Sequence, residues 1–300
     1  MSELSFLILD VFSRRRYHGN PLAVVMGADA LAPAQLQRVA QEFNLSETVF
    51  PVAATQDDCA MRLRIFTPRA ELPFAGHPIV GAACALAELG LVPPGSQARL
   101  HLQTGVGAVP VTIRNGADGL CAELLTAQPP QFGPSLDDRQ HLAAVLGLAV
   151  TDLGNAEPAR VAGCGLPFLL LALRGPECLA GIEVDWGALP QLLRSCAAYG
   201  LYVYALGYEG ELRCRMFAPD IGEDPATGSA AAALGARLAQ DRIDQGRASP
   251  DGWRWTVAQG LEMGRPSRIE IGARVHDGAV AAISVGGHAV VTMSGSLHVD

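Results

Sequence analysis

Two segments of the sequence, one in each half of the chain, share a pattern that limits the fold more than any other feature. Residues 64–86 read RIFTPRAELPFAGHPIVGAACAL and residues 215–234 read RMFAPDIGEDPATGSAAAAL. Each begins Arg, apolar, Phe, small, Pro, and each ends in small apolar residues. With one inserted residue, the aligned pairs are Glu71–Glu223, Pro73–Pro225, Gly76–Gly228 and His77–Ser229. A repeat of this spacing predicts a chain made of two duplicated halves.

The runs of small residues predict two helices that are buried on every face. First-turn amides of a helix lack intrahelical partners and carry the positive end of the dipole. If two such helix ends meet in a cleft between the halves, they form one anion site. Pro78 is favoured at the first helical position, so we expect His77 near the N-cap. Gly90 and Pro93-Pro94 are expected to close this first helix.

Strand-like segments outnumber helical ones, and many follow one another directly. This predicts an α+β fold with mostly antiparallel sheets and argues against a doubly wound nucleotide-binding fold. Apolar residues recur at helical spacing over residues 33–43, which predicts an amphipathic helix. A chain of 300 residues favours two domains. The PPQFGP segment is the best boundary, which gives an N-terminal half of residues 1–128 and a C-terminal half of residues 129–300.

Composition and charge exclude several classes of partner. The net charge is −8 and no long basic run occurs, so a nucleic-acid partner is not expected. No apolar stretch is long enough to predict a membrane span, and the N-terminal segment lacks the features of a signal peptide. The seven cysteines are widely spaced without a CxxC pair. They favour free, buried thiols in a cytoplasmic protein over a disulfide or metal framework.

Four polar residues of the motifs are candidates for chemistry, and each has a simpler alternative. At a helix N-terminus the imidazole of His77 is expected to be neutral and suited to proton transfer, unless it only caps the helix. Ser229 holds the matching place, yet serine is also a common N-cap. Asp224 follows Glu223, and two adjacent acids before Pro225 suggest that one is simply solvated.

Glu47 lies in FNLSETVF, between the amphipathic helix and an apolar strand. It is a candidate general base, and the alternative is a charged residue at a strand edge. Nucleotide, hydrolase and zinc motifs are absent, and the seven histidines show no metal spacing. The sequence therefore predicts chemistry without a cofactor or a metal.

The motifs resemble the PhzF family of phenazine-biosynthesis-like isomerases. The resemblance rests on DVFSRRRYHGNPLAVV, FNLSETVF, ELPFAGHP, EDPATGSA and QGLEMGRPSRI, in an order that covers nearly the whole chain. It implies a diaminopimelate-epimerase-like fold, in which two similar halves each curl a sheet around a central helix, with the active site between them. The last strands of such a chain often return to the first half. It also implies a homodimer and a small anionic carboxylate as substrate.

The resemblance carries residue roles to this chain. Glu47 matches the glutamate that moves a proton on the ring of trans-2,3-dihydro-3-hydroxyanthranilate in the family's namesake enzyme. His77, Asp224 and Ser229 match residues that surround the substrate. Gly76 and Gly228 match glycines that let the backbone approach its carboxylate.

Epimerases with this fold place two cysteines at the helix mouths, where this chain has Ala75 and Thr227. A two-cysteine mechanism is therefore not expected. Two alternatives to the isomerase remain: an epimerase or racemase of a small amino or hydroxy acid with Glu47 as base, and a ligand-binding homologue without catalysis.

Overall fold

The computed structural model describes residues 2–92, 95, 97–155, 157–247, 249 and 251–300. These residues form two compact units. Unit 1 comprises Met1–Ala127 and Gly286–Asp300, and unit 2 comprises Gln128–Val285. The predicted boundary between an N-terminal half of residues 1–128 and a C-terminal half of residues 129–300 stays a prediction.

The described residues of unit 1 form mostly antiparallel strands and two helices. Its elements are β1 Ser2–Val11, β2 Asn20–Val25, α1 Pro33–Phe43, β3 Glu47–Val52, β4 Met61–Phe66, β5 Glu71–Leu72, α2 Gly76–Glu88, β6 Gln97–Thr104, β7 Gly107–Gly116, β8 Gly119–Leu125 and the last part of β17 Ala279–Val299.

Strand pairing in unit 1 alternates between antiparallel hairpins and parallel crossovers. β1 pairs antiparallel with β2 and with the end of β17. β2 runs parallel to β3, which pairs antiparallel with β4. β4 pairs antiparallel with the short β5 and runs parallel to β6, and β6, β7 and β8 continue as antiparallel neighbours.

Helix α2 is the buried centre of unit 1. Every residue from Gly76 to Leu86 is buried, and the helix contacts β1, β2, β3, β7 and β8. Its small side chains allow strands to pack closely on several sides, as the all-round apolar pattern predicts. The helix ends at Glu88, and Gly90 follows with a positive φ of 69°. The Pro93-Pro94 pair, predicted to help close the helix, lies outside the described residues.

The amphipathic helix predicted over residues 33–43 is confirmed as α1. Leu36 and Ala40 are buried in a second apolar cluster of unit 1, and Val39 and Phe43 pack against it. The rings of Phe50 and Phe66 meet edge to face in this cluster, with centroids 5.5 Å apart.

Unit 2 repeats the strand order of unit 1 and adds further helices. Its elements are β9 Gln131–Leu136, α3 Arg139–Val145, a short 3-10 helix Val150–Asp152, β10 Ala159–Gly163, β11 Pro167–Ala172, α4 Glu177–Ala180, α5 Leu189–Ser195, β12 Gly200–Leu206, β13 Leu212–Ala218, β14 Gly222–Asp224, α6 Gly228–Asp244, β15 Trp253–Gln259, β16 Ser267–His276 and the start of β17.

The pairing of strands in unit 2 confirms the duplication. β10 pairs antiparallel with β11, β11 runs parallel to β12, and β12 pairs antiparallel with β13. β13 pairs antiparallel with the short β14 and runs parallel to β15, which pairs antiparallel with β16. This is the pairing sequence of β1 to β7. α6 contacts β10, β11, β15 and β16, so it occupies the place in unit 2 that α2 has in unit 1.

The predicted α+β fold, two similar halves with sheets packed around a central helix, is therefore confirmed. The C-terminal residues Ala279–Val299 form one strand, β17, which begins in unit 2 and ends in unit 1. None of the helices among the described residues is both long and apolar enough to cross a membrane.

Candidate active site

The first repeated segment forms a strand–strand–helix element that ends at the mouth of α2. β4 and β5 pair in the register Phe66↔Glu71. The Arg64 guanidinium spans this pairing and donates two hydrogen bonds to the Glu71 carboxylate, of 2.8 and 2.7 Å. A Cβ on Gly105 would lie 2.7 Å from the Cα of Pro73, so only glycine lets the chain after β6 approach the segment that enters α2.

Helix α2 begins two residues earlier than the sequence predicts. Its N-cap is Ala75, its first residue is Gly76 and His77 is its second. Pro78 therefore occupies the third position, where its missing N–H group still costs no intrahelical hydrogen bond. Ala75 offers no side-chain cap. The backbone amides of Gly76 and His77 thus point out of the helix end without a capping side chain.

Glu47 and His77 come together in unit 1. Glu47 is the first residue of β3, where it pairs with Leu22 of the parallel strand β2. Its Oε2 atom lies 3.4 Å from Nε2 of His77. The side chains retain only 16% and 7% of their full exposure. The structure gives Nε2 of His77 no hydrogen bond within the described part of the chain, so this nitrogen faces the carboxylate in a loose geometry.

Burial lowers the pKa of His77 to about 3, because the surrounding protein disfavours the charged imidazolium. The ring is therefore neutral at physiological pH, and the cause is burial and not the helix end from which neutrality is predicted. A neutral imidazole carries one N–H donor and one acceptor nitrogen. It is thus able to donate a hydrogen bond to a neighbouring carboxylate or to accept one from a protonated carboxyl group.

The second repeated segment forms the corresponding element in unit 2. β13 and β14 pair in the register Phe217↔Glu223, and Arg215 donates hydrogen bonds of 2.7 and 2.8 Å to Glu223. The guanidinium groups of both copies lie over the phenylalanine two residues on, 5.2 Å from the Phe66 centroid and 5.0 Å from that of Phe217. The two copies of the repeat thus share an ion pair as well as the strand–strand–helix arrangement of the backbone.

Asp224, Gly228 and Ser229 lie around the N-terminus of α6. Asp224 ends β14 and is only 7% exposed. Gly228 is the first residue of α6, and Ser229, half-buried, is the second. The N-cap is Thr227, so the interpretation of Ser229 as a capping residue is wrong. The expectation that one of the two adjacent acids is solvated is also wrong, because Glu223 pairs with Arg215 and Asp224 is buried.

A buried glutamine, the first residue of the QGLEMGRPSRI motif, completes this second cluster, a role that the sequence does not predict. Gln259, the last residue of β15, has no exposed surface and contacts Asp224 and Thr227. The repeat offers no signal for it, since the register of β4 with β6 and of β13 with β15 places Thr104 at the equivalent position. Thr104 donates its hydroxyl to Gly107 O instead.

A comparison with protein families shows to which family the chain belongs. The family model described as phenazine biosynthesis-like protein matches residues 9–295. The chain belongs to this PhzF family.

Relatives of this PhzF protein are similar over their full lengths. An uncharacterized isomerase of Mesorhizobium japonicum is 38% identical, with all of both chains covered. The trans-2,3-dihydro-3-hydroxyanthranilate isomerase of Pseudomonas aeruginosa is 35% identical, covering 97% of this chain and 98% of the relative. A Bacillus anthracis protein of the PhzF family has a TM-score of 0.88 over 99% of this chain and 100% of its own, at 24% identity, which supports the fold. The chain is accordingly an isomerase of the PhzF family.

The cysteines of this PhzF isomerase do not lie at the helix mouths. Ala75 and Thr227 are the N-caps of α2 and α6, as the alignment of the repeat implies. All seven cysteines are free thiols. Burial raises the pKa of Cys84, and it raises that of Cys214 to about 12, so both stay protonated. Within the described ranges, no group of three or more His, Cys, Asp or Glu side chains is arranged to hold a metal ion.

Proposed function

We propose that this PhzF isomerase moves a proton between carbon atoms of a small cyclic carboxylate, without a cofactor, with Glu47 as the general base. The observation that carries the proposal is the contact of 3.4 Å between Glu47 Oε2 and His77 Nε2, in nearly complete burial. A buried carboxylate beside a neutral imidazole is suited to take up a proton and return it. The substrate class follows the name of the P. aeruginosa relative, trans-2,3-dihydro-3-hydroxyanthranilate isomerase.

The proposed step conserves atoms and electrons within the substrate. Glu47 takes a proton from a ring carbon, and the electron pair of the broken C–H bond is delocalised over the conjugated ring. The protonated Glu47 exchanges this proton with solvent, and its carboxyl group then donates a proton to another ring carbon, where the new C–H bond forms and the carboxylate is restored. The neutral state of His77 supports this role, since an imidazolium beside Glu47 would favour the ionised carboxylate and hinder proton uptake.

We further propose that Gly76, His77, Asp224, Gly228 and Ser229 bind the substrate. The amides at the N-termini of α2 and α6 meet no capping side chain, and such amides favour a carboxylate. Gly76 and Gly228, each the first residue of its helix, have no side chain that would keep a ligand from these amides. Asp224 and Ser229 supply polar groups of the kind that orient a substrate with hydroxyl or amino groups.

A racemase that uses two cysteines is disfavoured, because the two helix mouths carry Ala75 and Thr227. Neither side chain is able to abstract a carbon-bound proton. An epimerase with Glu47 as its only base is the remaining alternative. Measurement of optical rotation with small amino and hydroxy acids separates this epimerase from the isomerase. Only an epimerase changes the optical rotation of a substrate without moving a double bond.

Deuterium incorporation tests the role of Glu47. The wild-type protein, incubated with trans-2,3-dihydro-3-hydroxyanthranilate in D2O, is expected to place deuterium at one ring carbon of the product. Glu47→Gln removes the base without changing the shape of the side chain, and it is expected to lower turnover at least about a hundredfold. Mass spectrometry and NMR of the product give both readouts.

The matched control is Glu42→Gln, which changes an exposed glutamate of α1. It is expected to turn over like the wild type. Normal turnover and deuterium incorporation by Glu47→Gln would overturn the assignment of the base.

We also propose that the chain forms homodimers in the cytoplasm. The family resemblance supports the dimer. The seven free thiols support the cytoplasm, because free thiols suit reducing conditions. Sedimentation equilibrium tests the dimer, and a mass near 31.4 kDa at micromolar concentration would contradict it.

A further inference from the structure

Gln259 makes four hydrogen bonds through its side-chain amide, all of them inside unit 2. Its Nε2 donates to the backbone oxygen of Asp224 at 2.7 Å and to Oγ1 of Thr227 at 3.0 Å. Its Oε1 accepts from the hydroxyl of Tyr202 at 3.0 Å and from the backbone N–H of Thr227 at 3.3 Å. The amide is wholly buried, so water does not replace these partners.

The partners determine which way this amide points. A backbone N–H group only donates, so the atom of Gln259 that faces Thr227 N must be the oxygen. A backbone carbonyl only accepts, so the atom that faces Asp224 O must be the nitrogen. A flipped amide would place its NH2 group against the N–H of Thr227, donor against donor. It would also place its oxygen against the backbone oxygen of Asp224, acceptor against acceptor, and both contacts would be buried.

The orientation of Gln259 in turn sets the direction of the Thr227 hydroxyl. Oγ1 of Thr227 accepts from Nε2 of Gln259, so its own hydrogen is available for Oδ2 of Asp224, the next atom within reach. This contact is the shortest in the network. Oδ2 of Asp224 is therefore held as an acceptor by a chain of donors that begins at the backbone of Thr227.

We propose that Gln259 and Thr227 are positioning residues that hold the Asp224 carboxylate as a hydrogen-bond acceptor for the substrate. The group they select is a donor, an amino or hydroxyl group on the ring. A substrate analogue with an acceptor at that place would face the carboxylate without a hydrogen and bind poorly. The inference rests on the proposed function, which places Asp224 against the substrate.

The duplication argues that the network is not a requirement of the fold. The equivalent helix α2 begins after Ala75, which has no hydroxyl, and Thr104 replaces Gln259. α2 is nevertheless buried and packed like α6. The network is present in one copy only. It is directed at Asp224, the carboxylate of the repeat that is proposed to bind the substrate, so it fits a role in substrate recognition.

Three variants test the network by steady-state kinetics with trans-2,3-dihydro-3-hydroxyanthranilate. Thr227→Val keeps the shape and removes the hydroxyl, and Thr227→Ser keeps the hydroxyl. Gln259→Glu places a carboxylate where the amide donates, so it is expected to draw the Thr227 hydroxyl away from Asp224. Thr227→Val and Gln259→Glu are expected to raise KM about tenfold or more, the scale of a lost hydrogen bond to a charged group. In both, kcat should stay within about threefold, while Thr227→Ser restores KM. An unchanged KM in Thr227→Val, or an equal rise in Thr227→Ser, would overturn the inference.

Crystal structures of the unliganded Thr227→Val and Thr227→Ser variants give a readout that needs no activity. The Asp224 carboxylate is expected to keep its position in Thr227→Ser and to rotate away in Thr227→Val. If it keeps its position in both, the inference is wrong. A wild-type protein without turnover would contradict the proposed substrate, and the two crystal structures would then decide the network alone.

Discussion

A neutral histidine next to a carboxylate is the residue-scale feature on which the proposed chemistry depends. His77 is buried on the first turn of α2, and Glu47 Oε2 lies 3.4 Å away. The burial that keeps the imidazole neutral also makes the folded state less stable in acid. In the unfolded chain His77 binds a proton near its ordinary pKa of 6.5, whereas in the folded chain it does so only near pH 3.

Stability is therefore expected to depend on pH through His77. Its contribution is fully present above about pH 6.5 and is lost as the pH falls from there toward 3, because only the unfolded state gains the proton. Between pH 7 and pH 5 the wild type should lose about 2 kcal/mol of unfolding free energy from this group. Urea unfolding at both pH values measures the loss. His77→Gln should lose correspondingly less.

The control is His101→Gln, which changes an exposed histidine of β6 and should retain the wild-type pH dependence. Glu47 is the charged group that faces His77, so Glu47→Gln is included to separate its own titration from that of the imidazole. An identical pH dependence in the wild type and His77→Gln would contradict the burial of a neutral ring.

At this scale the sequence predicts the motif residues better than their supporting contacts. Glu47, His77 and Asp224 are recognisable because they lie in short, specific motifs. The contact of Glu47 with His77 depends on the parallel pairing of β2 with β3, which no local pattern specifies. Gln259 begins the QGLEMGRPSRI motif, but its role is not predictable from the motif, because its neighbours in space come from β12, β14 and the start of α6.

At the scale of elements, the repeat is a strand–strand–helix element stabilised by an internal ion pair. Arg64 pairs with Glu71 in unit 1, and Arg215 with Glu223 in unit 2. The two pairs differ in burial: the side-chain exposures are 16% and 38% in unit 1, and 10% and 19% in unit 2. Arg215 also donates a hydrogen bond of 2.7 Å to Leu179 O.

The more buried pair should matter more for stability. Glu223→Gln leaves the Arg215 guanidinium with a neutral partner in a buried place, and it is expected to cost about 3 kcal/mol of unfolding free energy. The same change in the other copy, Glu71→Gln, is expected to cost about 1 kcal/mol or less, because solvent screens that pair. Urea unfolding at neutral pH measures both. Equal losses in the two variants would contradict this assignment.

The boundaries of elements were predictable only where local chemistry decides them. Apolar spacing correctly predicts α1 over residues 33–43. The start of α2 at Gly76 was missed, because Pro78 is tolerated at several first-turn positions and not only at the first. β5 and β14 are too short to show a periodicity, and they exist through their pairing with β4 and β13.

At the scale of the whole molecule, unit 1 is built from two separate stretches of chain. Residues Gly286–Asp300 belong to it, although unit 2 lies between them and Ala127 in sequence. Every residue of β1 has a partner in residues 289–299. The return of the last strands was expected from the family resemblance alone, since composition and periodicity carry no information about which unit a terminal strand joins.

Removal of residues 286–300 should therefore damage unit 1 more than unit 2. Without them β1 loses one of its two neighbours, and Leu4 and Phe6 lose the cover of Leu297 and Val299. Hydrogen–deuterium exchange followed by mass spectrometry distinguishes the units. In a chain of residues 1–285, peptides from β1 and α2 are expected to lose most of their protection, while peptides from α6 retain theirs.

Tryptophan fluorescence gives a second readout, because all three tryptophans lie within unit 2. The emission of the shortened chain should stay close to that of the full chain, whereas its far-UV circular dichroism should decrease. The matched control is Met293→Ser in the full chain, since this side chain is 56% exposed and its loss removes no buried contact. Full protection of β1 and α2 in the shortened chain would show that unit 1 is complete without its C-terminal strand. Uniform loss of protection, with α6 included, would show that the two units do not fold separately.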